Sequence, residues 1–295
     1  MAPTPLVVVG VDGSDAAAEA LDVAAREARR RGARLEVVFA WGHQDPPFAT
    51  WEVRLDPYEV QLWAQARVED MVAQAPAAQD LPVMPWAVND LPAPALLEAA
   101  ARADLLVVGS RGEGGFLGLR LGSVAHKVLA HPPCPVMVVH EGSAASDDAR
   151  GRIVVGVDGS DGARTALLWA VEEADRRSAR LVVLHGWSPP AVAGGTFPAA
   201  YPPADVWERG ARLLVDEAVE RARAASPALD VEGRLVCAGG AGALLEAAAD
   251  AALVVVGTRG RGRVAELLLG SVGQQVARHA ECPVVVVPDG ATTDG

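Results

Sequence analysis

One internal repeat organises this chain before anything else in it is weighed. Gly10-Val-Asp-Gly-Ser-Asp15 returns unchanged as Gly156-Val-Asp-Gly-Ser-Asp161, 146 residues later, and Trp41 returns as Trp187 at the same offset. Ala95-Leu-Leu-Glu-Ala-Ala-Ala101 returns as Ala243–Ala249, now at an offset of 148. Leu121-Gly-Ser-Val124 and Cys134-Pro-Val136 return as Leu269–Val272 and Cys282–Val284, again at 148. Order is kept and the offset drifts by two residues, so a whole unit of domain size is duplicated. A period this long marks two domains and not a solenoid of short repeats. The expected division is a first domain over 1–141, a linker over 142–151 and a second domain over 152–289. The linker, from Gly142 to Gly151, is small and polar with no apolar period.

Each unit alternates short β-branched runs with Ala- and Arg-rich amphipathic stretches. Leu6–Val11, Leu35–Trp41, Val83–Val88, Leu105–Gly109 and Val136–His140 read as strands. Runs such as Val7-Val-Val9 are apolar throughout, as strands covered on both faces must be. Asp15–Arg31, Tyr58–Gln74, Ala93–Ala103 and Leu119–His131 read as helices, with Ser14 and Gly32 suited to cap the first. The second unit repeats the pattern from Ile153–Val157 to Val284–Val287. Strand alternating with helix predicts an α/β fold: two doubly wound domains, each a parallel sheet flanked by helices. Gly42–Pro57 and Ser188–Pro203, rich in Pro, Gly and aromatics, follow the second strands and read equally as plain loops or as lids.

The chemistry concentrates after the fourth strand. Gly109-Ser110-Arg111-Gly112 is followed by nine residues and then Gly122-Ser123; Gly257-Thr258-Arg259-Gly260 is followed by nine and then Gly270-Ser271. Glycines lacking a Cβ let backbone N–H groups approach phosphate oxygens closely. The second glycine opens a helix, where unsatisfied N–H groups and the dipole favour an anion, and Ser123 and Ser271 can add hydroxyl donors. Two copies at one spacing, each between a strand and a helix, point to phosphate binding. Asp12 and Asp158 end the first strands. They either accept from ribose hydroxyls or hold a cation beside the loops, or simply shape the Val-Asp-Gly-Ser turn.

Composition excludes several classes. A net charge of −12 does not suit a nucleic-acid surface, which needs clustered cations, and Lys127 is the lone lysine. Cys134, Cys237 and Cys282 have no metal-ligand or C-x-x-C spacing and read as small core residues in a reducing compartment. The N-terminus lacks a basic segment leading into an apolar one, and no apolar run is long enough to span a bilayer, so a cytoplasmic chain with no membrane partner is expected.

The Val-Asp-Gly-Ser turn, the G-x-x-G-x9-G-S loop and the Cys-Pro-Val final strand resemble the universal stress protein family in its tandem, ATP-binding form. The resemblance covers both units almost end to end. It implies a five-stranded sheet of order 3-2-1-4-5 in each unit and an ATP site in each, with Mg2+ allowed beside the phosphates. It places adenine near Gly10, Val11 and Ala40, ribose near Asp12 and Gly109, and phosphates near Gly112, Gly122, Ser123 and Val124. Ser110 and Arg111 complete that loop. The second-unit counterparts are Gly156, Val157, Gly186, Asp158, Gly257, Thr258, Arg259, Gly260, Gly270, Ser271 and Val272. Two departures stand out: Gly114-Gly-Phe116 becomes Gly262-Arg-Val264, and Ala40 becomes Gly186. In that strand order the last strands, Val136–His140 and Val284–Val287, are apolar edges, and the two units are expected to pair through them as an intramolecular pseudo-dimer. Further association of whole chains into a homodimer is left open.

Three function classes compete: a nucleotide-dependent stress-response or growth regulator, an ATP-hydrolysing or phosphoryl- or adenylyl-transfer enzyme, and a scaffold without ligand. The chain has no Walker A loop and no Ser-Gly-Gly-x-Asp-Ser loop, and Asp12 has no partner acid or amide that would make a phosphotransfer pair. His126 and His131 correspond to Gln274 and His279 in the second unit and suit helix ends better than catalysis. The regulator, holding ATP without acting as an enzyme, is the expected function.

Overall fold

Valine-rich runs this short, apolar on both sides, are stable only between two layers of helix, and that is where the chain places them. The structure, a computed structural model, describes residues 4–42, 56–112, 121–143, 151–188, 203–258, 260 and 269–290. The first unit runs β1 (Leu6–Val11), α1 (Asp15–Arg31), β2 (Arg34–Ala40), α2 (Pro57–Gln74), β3 (Val83–Val88), α3 (Pro92–Ala100), β4 (Leu105–Gly109), α4 (Ser123–Ala130) and β5 (Val136–Val139). The second runs β6 (Arg152–Gly156), α5 (Asp161–Arg177), β7 (Arg180–Trp187), α6 (Ala204–Ala225), β8 (Val231–Cys237), α7 (Gly240–Ala248), β9 (Leu253–Gly257), α8 (Ser271–His279) and β10 (Val284–Val287).

Within each unit the strands lie in the expected order. The two sheets join through their last strands, so that all ten strands form one mixed sheet, β3-β2-β1-β4-β5-β10-β9-β6-β7-β8. The join is an antiparallel ladder pairing Val138 with Val284, Met137 with Val285 and Val136 with Val286, all buried. Pairing satisfies backbone groups that either edge alone would leave open. β5 ends at Val139, one residue short of the expected strand, and His140 instead donates from Nε2 to the Ala277 carbonyl at 3.0 Å.

Each face of the sheet carries a core that runs through both units. One, under α1, α2, α5 and α6, includes Val7, Phe39, Met137, Ile153 and Val285; the other, under α3, α4, α7 and α8, includes Val8, Leu106, Val138, Val254 and Val284. Across the first face α1 meets α5, and Glu27, Arg31, Glu173 and Arg177 close a buried ring. Arg31 reaches Glu173 at 2.5 Å and Glu27 at 3.1 Å, while Arg177 reaches Glu27 at 2.5 Å and Glu173 at 2.6 Å. Both glutamates are fully buried. Burial alone would raise the Glu173 carboxyl, yet Arg31, Arg177 and Arg176 hold it down to about 2.

Local chemistry sets the helix ends. Ser14 Oγ accepts from Ala17 N–H at 3.2 Å and Ser160 Oγ from Ala163 N–H at 3.2 Å, one cap for each unit's first helix. Gly32 ends α1 in the left-handed region at φ 59°, and Ser178 does the same for α5 at φ 51°. The fourth helix starts later than its apolar pattern suggests. α4 begins at Ser123 with Gly122 as its N-cap, because the Gly122 N–H is already given to the Ser110 carbonyl at 2.7 Å.

Candidate functional site

β1 pairs with β2 on one side and β4 on the other, so the chain leaves the carboxyl end of β1 in one direction and that of β4 in the opposite one. Crevices at such reversals are where doubly wound sheets bind ligands. β6, between β7 and β9, repeats the arrangement.

The Asp of each turn serves two purposes at once. Asp12 Oδ1 accepts from Ser14 N–H at 3.0 Å and Ser14 Oγ–H at 2.7 Å, and Gly13 takes φ 96°. Asp158 repeats this with Ser160 at 3.0 and 2.6 Å, and Gly159 takes φ 82°. The turn-shaping reading is therefore correct. The same carboxylates also stand against the loops, for a Cβ added to Gly112 would land on Asp12 Oδ2, and one added to Gly260 on Asp158 Oδ2.

The glycines around the first site stand in different surroundings. A Cβ on Gly109 would meet the Ala16 carbonyl oxygen at 3.1 Å, so this glycine lets β4 pass the first turn of α1; at Gly257 the Gly162 oxygen would lie at 2.6 Å. Gly10 yields room to Leu96 (Cδ1 at 2.7 Å), and Gly156 to Leu244 (Cδ1 at 2.8 Å). Gly122 is under no such constraint. Its backbone sits at φ −72°, ψ 164°, and the nearest atom to an added Cβ is the Ser110 oxygen at 3.4 Å. Gly122 and Gly270 donate to the Ser110 and Thr258 carbonyls, each at 2.7 Å, which draws the starts of α4 and α8 back over the loops. Neither helix has a side-chain cap, so its first-turn N–H groups are open to a ligand.

In the second unit these parts enclose a cavity of about 420 Å³, within the range of small-molecule sites. Of the positions named from sequence, Gly156, Val157, Asp158, Gly186, Gly257, Gly260, Gly270, Ser271 and Val272 line it. Thr258 is not among the lining residues. Its side chain is buried, and its Oγ1 donates to Asp289 Oδ1 at 3.3 Å. Ser110 is likewise buried and gives its N–H to the Val139 carbonyl. Arg111 pairs with Glu141 at 2.7 Å. In the first unit Val11 and Ala40 are buried at the ends of β1 and β2, and Val124 packs partly against the α3–α4 core. Arg259, the Gly114/Gly262 departure and nearly all of the two candidate lids lie outside the described residues.

Both units match known proteins of one family. The universal stress protein family model matches residues 6–140 and 149–288. The chain belongs to that family. A universal stress protein of Mycobacterium tuberculosis is 36% identical over 299 residues, covering 97% of each chain. One from Mycolicibacterium smegmatis is 33% identical over 294 residues, covering 95% of this chain and 96% of its own. A solved universal stress protein from Archaeoglobus fulgidus covers 97% of this chain and 98% of its own at a TM-score of 0.68 and 18% identity, a likeness of fold.

Within this family member, sequence reasoning missed seven of the residues that line the cavity, Leu244 and His185 among them. Leu244, its apolar floor, lies in the repeated Ala-Leu-Leu-Glu segment, whose recurrence was a signal without an assigned role. His185 lines the same cavity and donates from Nδ1 to the Val157 carbonyl at 2.7 Å. Phe39 occupies the corresponding place in the first unit, so no repeat marked it. Among the described residues no group of three or more His, Cys, Asp or Glu is placed to hold a metal ion. No helix among them is long and apolar enough to cross a membrane.

Proposed function

We propose that each unit holds one ATP and that the protein is a nucleotide-dependent regulator of stress response or growth. The observation that carries this reading is the pair of loops in which a glycine backbone, a helix start and an aspartate converge, Gly112–Gly122–Asp12 and Gly260–Gly270–Asp158. The fit is chemical as well as spatial. Adenine would lie against Gly156, Val157 and Gly186 over Leu244, where the wall is apolar and the backbone accessible. Asp158 would accept from the ribose, and the backbone at Gly257 would approach it. The N–H groups of Gly260, Ser271 and Val272, with the Ser271 hydroxyl, would face the phosphates. Mg2+, where present, would be held chiefly by phosphate oxygens and water, with Asp158 the carboxylate at hand.

ATP is retained in this reading rather than turned over. Phosphoryl transfer needs a positioned base and cationic clamps. Among the described residues, the ionisable side chains that line the cavity are Asp158, tied to Ser160, and His185, tied to Val157. Calorimetric titration of nucleotide-free protein with ATP should give a stoichiometry near two, and a hundredfold excess over the dissociation constant should stabilise the fold by about 2.7 kcal/mol per site. Absence of binding would sink the assignment. Single-turnover rates in the ~1–100 s⁻¹ range of kinases, lost on Asp12→Ala or Asp158→Ala, would make the protein an enzyme instead.

A further inference from the structure

Arg111 is the cation of the first glycine loop, and the structure commits it elsewhere. Its Nη2 donates to Glu141 Oε2 at 2.7 Å. The backbone of Arg111 sits directly at the cradle, its Cα 3.6 Å from where a Cβ on Gly122 would lie. Glu141 is the second residue past β5, where the first unit gives way to the linker. The acid is not an accident of one unit: Asp289 stands 148 residues later, at the same place after β10, and accepts from the loop residue Thr258 at 3.3 Å. Each glycine loop thus faces a carboxylate from the end of its own last strand.

We infer that Glu141 is an internal anion that occupies Arg111 in place of a nucleotide phosphate, so that filling the first site releases Glu141 at the start of the linker. This rests on the nucleotide reading above. The Arg111–Glu141 pair is exposed on both sides, 44% and 59%, and such pairs hold weakly. A polyphosphate carries more charge than the lone, solvated Glu141 carboxylate, so it outcompetes it for the guanidinium. The segment has other ties outside the glycine loop, to α1 and within its own turn. Gly142 N–H donates to Glu19 of α1 at 3.0 and 2.9 Å, and Ser143 and His140 bond each other at 2.6 and 3.0 Å. Among these ties, the one to Arg111 reaches the glycine loop. Nucleotide occupancy is thereby converted into a change at the junction between the units.

The test is a double-mutant cycle on the full chain with ATP as probe, read by calorimetry and by amide exchange of the peptide holding Glu141–Ser143. Glu141→Gln should tighten one of the two ATP sites by about two- to fivefold, the range an exposed ion pair contributes. Arg111→Gln should weaken that site, and adding Glu141→Gln to it should bring no gain. Exchange at Gly142 should rise with ATP in the wild type and already be high in Glu141→Gln without it. An equal gain from Glu141→Gln in both backgrounds would reduce Glu141 to a general repulsive charge and overturn the inference. So would ATP binding that leaves Gly142 exchange and the Glu141→Gln affinity unchanged. If the wild type bound no ATP at all, the nucleotide reading itself would fall, and this one with it.

Discussion

Replacing Gly122 by alanine adds a single methyl group where the loop after β4 meets the start of α4. The backbone there, at φ −72° and ψ 164°, suits alanine, and the added carbon would lie 3.4 Å from the Ser110 oxygen, an ordinary contact. Folding stability should therefore stay within about 0.5 kcal/mol of wild type. If phosphate rests on the first-turn N–H groups of α4, the methyl stands between them. Losing one hydrogen bond to a charged group costs about 1.5–3 kcal/mol, or roughly 10- to 150-fold in the dissociation constant. Gly112→Ala is a poorer probe, because its methyl would displace the Asp12 carboxylate and so disturb the Ser14 cap of α1 as well. Calorimetry on nucleotide-free Gly122→Ala provides its own reference, since the second unit is untouched. One site should keep its affinity while the other weakens by that factor, with an unchanged melting temperature. Two sites of unaltered affinity in a fully folded variant would refute the phosphate assignment at Gly122.

Three further results are expected. Glu173→Gln removes partners from Arg31, Arg176 and Arg177 inside the buried ring and should cost about 3–5 kcal/mol in denaturant unfolding. With Glu173 held down at about 2, its contribution is fully present above the ordinary carboxylate range and is lost as pH falls toward that value, which acid titration of wild type against Glu173→Gln would follow. In native protein a thiol reagent should modify Cys237, which is exposed, at once; Cys134 and Cys282, buried and pushed up to about 12, should react only on unfolding. Ser178→Gly should stabilise by up to ~1 kcal/mol in chemical denaturation, by relieving a side chain held at φ 51°.

The duplication, the alternation of strand and helix, the caps at Ser14 and Gly32 and the paired glycine spacing were all legible in the chain, because each is a local or periodic signal. A Val-rich run announces burial on both faces wherever it occurs, and a serine before an alanine-rich stretch caps it without help from the rest of the fold. The glycines were legible as a set but not individually. Only packing separates Gly109, which admits α1, and Gly10, which admits Leu96, from Gly122, whose backbone and surroundings would accept a side chain. His185 and the inward turn of Thr258 were likewise decided by neighbours from distant segments. The same holds for the largest features. The antiparallel join of β5 to β10 sets its register between strands 148 residues apart, and the ring of Glu27, Arg31, Glu173 and Arg177 closes across helices 146 residues apart. Sequence periodicity carries no term for such separations. It specifies that apolar edges able to meet and a charged helix face exist; the antiparallel register of the join and the partner of the charged face come from the folded chain.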